Sequence, residues 1–213
     1  MADTEMRLEP WDDRGLDLER RANVPEMTVY LGGPEPDAAL VKRHERILAT
    51  APGAGRMFLI MVPDAPEPVG SVGYWDKEWG GETVYEMGWL VLPGFQGRGL
   101  AVRATVAALG VAAAERRHAW AHAYPRVDNG PSNAICRKAG FTLSGECDFE
   151  YPKGNPIRCN DWRYRLTSLS GSASLSGSAS PSGSASPSGS ASPSRSASPS
   201  GSAAGSGSTS SRA

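Results

Sequence analysis

The sequence predicts an α+β domain built on a mixed, mostly antiparallel sheet of seven strands with helices on both faces. Two observations predict this class. Short runs rich in β-branched and aromatic residues recur between turn signals, as strands do. An alanine- and leucine-rich stretch without proline, typical of a helix, joins two of these runs in the middle of the chain. Strands joined through a helix lie parallel, whereas runs joined by short turns pair antiparallel.

The elements follow in order along the chain. Strands are predicted at residues 6–11, 56–62, 69–75, 83–91, 118–124, 141–151 and 161–166. Helices are predicted at residues 13–22, 25–30, 38–48, 97–114 and 132–139. Asp37 is the expected N-cap of the third helix and Gly140 the expected stop of the fifth. A polar loop is expected at residues 76–82 and a turn at residues 152–156.

The last part of the chain has a different composition. From Ser170 onward, a six-residue unit of serine, glycine, alanine and leucine or proline repeats. Such a segment has almost no apolar surface to bury, so it cannot offset the entropy that ordering would cost. We therefore predict a folded domain at residues 1–167 and a disordered, flexible tail at residues 168–213.

Charge and cysteine content restrict the function classes. All 23 acidic residues precede Ser168, whereas two of the 22 basic residues follow it, so the domain is slightly acidic. This charge argues against nucleic-acid binding and is compatible with a cationic amine substrate. The amino terminus lacks the apolar run of a signal peptide, and no stretch approaches the roughly 20 apolar residues of a membrane span.

The residues that commonly bind metals show no metal-site spacing. The three cysteines are odd in number and follow no ligand pattern. His118 and His122, four residues apart on a predicted strand, would lie roughly 13 Å from each other. We therefore expect a cytoplasmic protein with reduced cysteines, no metal and no membrane contact.

A glycine-rich loop carries the clearest functional signal. The stretch Gln96-Gly97-Arg98-Gly99-Leu100-Ala101 follows a predicted strand and opens a predicted helix. The first N–H groups of a helix are unpaired and lie at the positive end of its dipole, and glycines let an anion approach them. The loop therefore predicts a phosphate site. It lacks the Gly-Lys-Ser/Thr ending of a P-loop, and Val102 replaces the third glycine of a dinucleotide fingerprint.

These six residues resemble the Gln/Arg-x-x-Gly-x-Gly/Ala signature of the GNAT superfamily of acetyl-CoA-dependent N-acetyltransferases. Two other stretches resemble its RimJ/RimL-type branch, the ribosomal-protein N-terminal acetyltransferases. They are Tyr85-Glu86-Met87-Gly88-Trp89, and the run 129–141 with its Asn-x-x-Ser and Lys-x-Gly-Phe patterns. The resemblance covers the folded part and implies the GNAT fold.

The resemblance also implies the binding residues. Backbone amides of residues 96–101 would bind the pyrophosphate of coenzyme A, and Asn129 would contact the coenzyme. A plain turn residue before Gly130 is the open alternative for Asn129. The backbone of Leu90, Val91 and Leu92 would supply the N–H donor for the developing oxyanion.

Acid and base candidates follow from the same resemblance. Many members have a tyrosine four residues before Gly-Phe that protonates the departing thiolate. Here that position is Cys136, which we interpret as a buried apolar residue. Ser132, from the Asn-x-x-Ser pattern, is the donor that the branch suggests, and a simple first-turn hydroxyl is equally open. Glu150, in a Glu-Tyr pair, matches the general base of the branch.

Glu86 is the other candidate base, because its strand borders the expected acetyl position. For both carboxylates, the open alternative to a role as general base is a solvated group at a strand edge. The features together predict an N-acetyltransferase that moves acetyl from acetyl-CoA to a primary amine by direct attack in a ternary complex. A protein N-terminus, a polyamine-like metabolite and an amine-bearing antibiotic remain open as acceptors.

A function of a different class uses the same fold. A catalytically silent module would bind an acyl-CoA and act as a sensor, and the loop alone does not exclude it. The intact loop and the retained carboxylates favour the enzyme. The expected assembly is a monomer or a homodimer.

Overall fold

A computed structural model of the chain describes residues 5–150, 154 and 156–166. Within them lie seven strands: Arg7–Pro10 (β1), Gly55–Met61 (β2), Gly70–Trp79 (β3), Glu82–Val91 (β4), Trp120–Ala123 (β5), Thr142–Glu150 (β6) and Pro156–Arg165 (β7). The same part of the chain contains five α-helices: Arg14–Ala22 (α1), Pro25–Thr28 (α2), Asp37–Leu48 (α3), Leu100–Glu115 (α4) and Gly130–Lys138 (α5). The predicted domain end and the tail at residues 168–213 lie outside the described residues, as does most of the turn at 152–156.

All seven strands form one sheet, in the order β1-β2-β3-β4-β5-β7-β6. Every neighbouring pair is antiparallel except β4 and β5, which are parallel and connected through α4. This confirms the predicted α+β class and the mixed, mostly antiparallel seven-stranded sheet of the GNAT fold.

Helices cover both faces of the sheet. On β2, Ile60 packs in one core with Leu100 and Ala104 of α4, whereas the adjacent Leu59 packs in a second core with Leu18 of α1. Because successive strand residues point to opposite faces, the two cores lie on opposite sides of the sheet. None of the helices in the described part of the chain is long and apolar enough to cross a membrane.

The hairpin between β3 and β4 differs from its prediction. The polar run 76–79 was expected in a loop at 76–82, but it belongs to β3 and pairs with residues 82–85 of β4. The turn consists of Gly80 and Gly81, with φ of +58° and +85°. A two-residue turn with both φ positive matches the strand twist, so the polar residues continue the ladder up to it. The loop prediction was therefore wrong.

Other boundaries moved for local reasons. α4 begins at Leu100, not at residue 97, because Gly97 and Gly99 have positive φ and cannot start a right-handed helix. β7 begins at Pro156, five residues earlier than predicted, since its polar residues pair with the polar edge strand β6. β5 is limited to Trp120–Ala123. Gly140, with φ of +91°, ends α5 as expected.

Candidate active site

The glycine loop presents its backbone at the start of α4. Gly97 and Gly99 have φ of +74° and +75°, and Gly99 is the N-cap of the helix. A Cβ atom at either position would meet nothing within 4 Å, so the space beside both residues is open. The first amides of this 16-residue helix lack partners within it and carry the positive end of its dipole. The loop thus has the geometry that the predicted phosphate site requires.

The side chains of the loop are engaged elsewhere. Gln96 donates from Nε2 to the carbonyl oxygen of Val91 at 2.8 Å, which ties the loop to the end of β4. Arg98 forms an ion pair with Asp64 at 2.8 Å, and Leu100 is buried in the core. Any anion at this loop would therefore contact mainly backbone amides.

β4 and β5 separate shortly after they pair. Their parallel ladder contains only Tyr85 with Ala121 and Glu86 with His122. Beyond Glu86, no described strand pairs with this side of β4, where the carbonyl oxygen of Val91 accepts from the Gln96 side chain. On the other side of β4, the N–H of Leu92 donates to the carbonyl oxygen of Val69, just before β3, at 2.9 Å. Because the backbone groups of successive strand residues point to opposite sides, the N–H of Val91 faces the gap. Of the three predicted oxyanion residues, the structure thus turns Val91 toward the gap and Leu90 and Leu92 toward β3.

A cleft of about 830 Å³ runs along this stretch of β4. The residues that line it include Glu86 to Leu90, Ala123, Tyr124, Asn129, Ser132 and Phe149. The cleft therefore brings together four predicted site residues, Glu86 and Leu90 from β4 and Asn129 and Ser132 from the segment after β5.

Glu86 is a partly buried carboxylate in this cleft. Its side chain is 17% exposed, and Lys77 Nζ lies 3.4 Å from its Oε2. Burial raises the pKa of Glu86, while the Lys77 cation and a hydrogen bond with Trp75 oppose that rise. A desolvated carboxylate with an elevated pKa accepts a proton more readily than an exposed one.

Asn129 and Ser132 begin α5. Asn129 is the N-cap, and its Oδ1 accepts from the backbone N–H of Ser132 at 3.1 Å. The amide of Asn129 therefore has a structural use, which does not prevent it from also contacting a ligand in the cleft. The Ser132 hydroxyl is half-buried in the first turn and has no hydrogen-bond partner among the described residues.

Residues 5–142 match the protein family described as "Acetyltransferase (GNAT) domain". The chain belongs to this GNAT acetyltransferase family. The family match covers the glycine loop, β4 and the start of α5, so it includes most of the site described above. No curated protein sequence matches the chain significantly.

Solved structures share the GNAT fold at low identity. An acetyltransferase from Agrobacterium tumefaciens is 24% identical, with a TM-score of 0.62 over 76% of this chain and 91% of that one. RimL, a ribosomal L7/L12 α-N-protein acetyltransferase solved with coenzyme A, is 19% identical, with a TM-score of 0.62 over 78% and 97%. A spermidine N-acetyltransferase from Vibrio cholerae, solved with CoA and spermine, is 16% identical, with a TM-score of 0.60 over 76% and 95%.

Two sequence candidates lie away from the GNAT cleft. Glu150, at the end of β6, is exposed and accepts from the backbone N–H of Gly154. It is not among the cleft-lining residues, and Tyr151 lies outside the described part of the chain. Cys136 is 0% exposed in the main core, where burial raises its pKa to about 12. Its interpretation as a buried apolar residue fits this position.

Sequence reasoning missed the roles of two residues near Glu86, Tyr124 and His122. Tyr124 lines the cleft, and its buried hydroxyl has no hydrogen-bond partner among the described residues. His122 forms a 2.6 Å contact from Nδ1 to Asp161, whose other oxygen accepts from Trp79 at 3.2 Å. The large-small alternation of residues 118–124 was the available signal, since it places His122 and Tyr124 on one face.

Asn133 was also missed, and it positions the whole segment. Its Nδ2 donates to the carbonyls of Arg126 and Asn129 at 2.9 and 2.8 Å. Its Oδ1 accepts from Asn160 at 2.7 Å and from Trp162 at 2.8 Å. This buried side chain therefore joins the loop after β5, the start of α5 and strand β7.

Proposed function

We propose that this GNAT protein is an acetyl-CoA-dependent N-acetyltransferase that moves acetyl to a primary amine by direct attack in a ternary complex. The observation that carries the proposal is the gap between β4 and β5. It opens directly after the partly buried Glu86 and runs along the strand that ends in the glycine loop.

The residues at the loop fit a bound coenzyme. Open space beside Gly97 and Gly99, together with the unpaired amides of the first turn of α4, suits a pyrophosphate. Amides of residues 97–101 would hold it, with Gln96 fixing the loop and Asn129 available from the far side of the gap. The described residues contain no cluster of side chains that could hold a metal ion.

The chain's own groups have three tasks in the reaction. Acetyl-CoA, as substrate, supplies a thioester carbonyl carbon that the amine attacks. Glu86 accepts a proton from the amine, and the N–H of Val91, which faces the gap, donates to the carbonyl oxygen as negative charge develops there. Ser132, with its unengaged hydroxyl in the same cleft, donates a proton to the departing sulfur and recovers one from solvent.

Glu86 is the base we favour over Glu150. Burial and a place in the cleft support Glu86, whereas Glu150 is exposed and bound to Gly154. The resemblance of the Glu150-Tyr151 pair to the base of the RimJ/RimL branch keeps Glu150 as the alternative.

The acceptor is a protein N-terminus or a small-molecule amine. At pH 7 roughly one α-amine in seven is neutral, against fewer than about one lysine amine in two thousand, so an α-amine requires less of a base. This difference and the motifs of the RimJ/RimL branch support a protein N-terminus. The similar TM-scores of RimL and of a spermidine N-acetyltransferase leave both acceptor classes for experiment. A cytoplasmic location, no nucleic-acid partner and a monomeric or homodimeric state remain predictions.

A panel of amines would test the function. Peptides with a free α-amine, Nα-blocked lysine, spermidine and an aminoglycoside are each incubated with acetyl-CoA, and release of the free CoA thiol is followed. Amine-dependent thiol release by the purified chain is the expected result. Tight acetyl-CoA binding by calorimetry without thiol release for any amine would favour the acyl-CoA sensor.

A further inference from the structure

Two aromatic side chains share the cleft with the carboxylate of Glu86. Glu86, Tyr124 and Phe149, here called the ammonium box, all line the cleft. The rings of Tyr124 and Phe149 are stacked with centroids 4.9 Å apart, and Trp79 packs against Tyr124 at 4.6 Å. One carboxylate beside stacked aromatic rings is a chemical environment that suits an alkylammonium ion.

An ammonium group already contacts this box. Lys77 Nζ lies 3.4 Å from Oε2 of Glu86 and 4.5 Å from the ring centroid of Phe149. Lys77 reaches these residues from β3 and remains partly exposed, with 32% of its side chain accessible. Its side chain is therefore held by the same two interactions, ionic and cation–π, that an incoming primary ammonium would make.

The third member of the box has an unused polar atom. Tyr124 is 9% exposed, and no described residue forms a hydrogen bond with its hydroxyl. A buried hydroxyl without a partner destabilises the fold, and a bound ligand with N–H groups would offset that cost. Burial and the nearby carboxylates of Asp161 and Glu86 raise the pKa of Tyr124, so the phenol keeps its proton.

The other charges around the box are already engaged. Asp161 contacts His122 at 2.6 Å and accepts from the indole of Trp79 at 3.2 Å. Glu86 and the Tyr124 hydroxyl are therefore the polar groups of the box that can bind a ligand. Lys77 is the cation that competes with this ligand for Glu86.

We propose that the ammonium box is the acceptor-amine subsite, that its ligand class is a primary alkylammonium, and that Lys77 occupies it as an internal competitor. The proposal rests on the proposed acetyltransferase function, because only that function requires an amine beside Glu86. The acceptor displaces Lys77 from Glu86 and satisfies the Tyr124 hydroxyl. Removing the Lys77 cation should then strengthen the binding of small amines.

The test uses Lys77→Ala with n-propylammonium chloride. The atoms that this change removes, three carbons and one nitrogen, correspond to n-propylammonium. NMR titration of the full chain should show that n-propylammonium binds Lys77→Ala at least about tenfold more tightly than the wild type. In the wild type, the ligand must first displace the ion pair and the cation–π contact that Lys77 makes. Neutral n-propanol should not bind, and Lys77→Arg, which keeps the cation, should behave like the wild type.

Two further variants identify the box. Adding Glu86→Gln to Lys77→Ala should abolish n-propylammonium binding, and adding Tyr124→Phe should weaken it. Equal binding to wild type and Lys77→Ala, or binding that survives Glu86→Gln, would overturn the proposal. If Lys77→Ala does not fold, Lys77→Met keeps the apolar stem, and the proposal then requires a lower KM for the acceptor amine than in the wild type.

The same measurements separate this inference from the function. Tight n-propylammonium binding to Lys77→Ala without acetyl transfer to any amine would support the ammonium box and refute the proposed acetyltransferase activity. Acetyl transfer by the wild type without Glu86-dependent ammonium binding would do the reverse.

Discussion

Glu86 and Glu150 occupy opposite environments, which makes an isosteric pair of variants informative. Glu86 is partly buried in the cleft beside Lys77, and Glu150 is exposed at the end of β6. A direct proton acceptor typically contributes about 10²–10⁴-fold to the rate. We therefore expect Glu86→Gln to lower kcat by a factor in that range, measured by CoA thiol release, with acetyl-CoA affinity unchanged.

The pH dependence of the same variants supplies the control. Only ionised Glu86 accepts a proton, and burial raises its pKa, so wild-type kcat/KM should fall as pH decreases through a value above that of an ordinary glutamate. Raising the pH should partly restore Glu86→Gln, because more of the amine is then neutral. Glu150→Gln should stay near the wild type; if it instead shows the loss and the rescue, the base is Glu150.

At the scale of elements, the glycine loop and the start of α4 form one unit whose charge can be tested. Gly99→Asp would add a negative charge at the positive end of the helix dipole, where the pyrophosphate is expected. Gly99→Asn is the matched control, since asparagine has the same shape and also tolerates positive φ. Calorimetry should show acetyl-CoA affinity far weaker in Gly99→Asp than in Gly99→Asn. Equal affinities in two folded variants would mean that the anion binds elsewhere.

Asn133 connects three elements, so its removal should affect stability before chemistry. Asn133→Asp keeps the acceptor atom for Asn160 and Trp162 but cannot donate to the carbonyls of Arg126 and Asn129. Both carbonyls keep a backbone donor, but the variant loses two hydrogen bonds and places a carboxylate oxygen against them at a buried position. A typical intramolecular hydrogen bond contributes roughly 1 kcal/mol, so we expect about 2 kcal/mol or more of lost unfolding free energy in urea. Ser132→Ala, in the same helix, should be near neutral in that measurement, and equal losses in both variants would contradict this role of Asn133.

At the scale of the whole molecule, sequence patterns correctly predicted the features that depend on local backbone conformation. The strand–glycine loop–helix unit was predictable because positive φ and an open helix start depend on Gly97 and Gly99 themselves. Polar residues 76–79 were misassigned, since strand pairing across the Gly80-Gly81 turn overrides their weak local preference.

The side-chain part of the site was less predictable, because it depends on contacts between distant residues. Lys77, Glu86, Tyr124 and Phe149 meet only after β3, β4, β5 and β6 assemble. Sequence patterns nominated both Glu86 and Glu150, and the Glu-Tyr pair favoured Glu150. Only the assembled sheet shows that Glu86 is partly buried in the cleft, whereas Glu150 is exposed on the edge strand β6.

The repeat-rich end of the chain gives the last prediction. Strand β7 ends at Arg165, and from Ser170 the sequence is almost entirely serine, glycine, alanine and proline. Because such a composition has almost no apolar surface to bury, truncation after Ser168 should leave the melting temperature and the turnover number essentially unchanged. Thermal unfolding and CoA thiol release of the truncated and full chains, measured side by side, check this. A melting temperature lower by several degrees, equivalent to roughly 1 kcal/mol or more in a domain of this size, would show that the segment stabilises the domain.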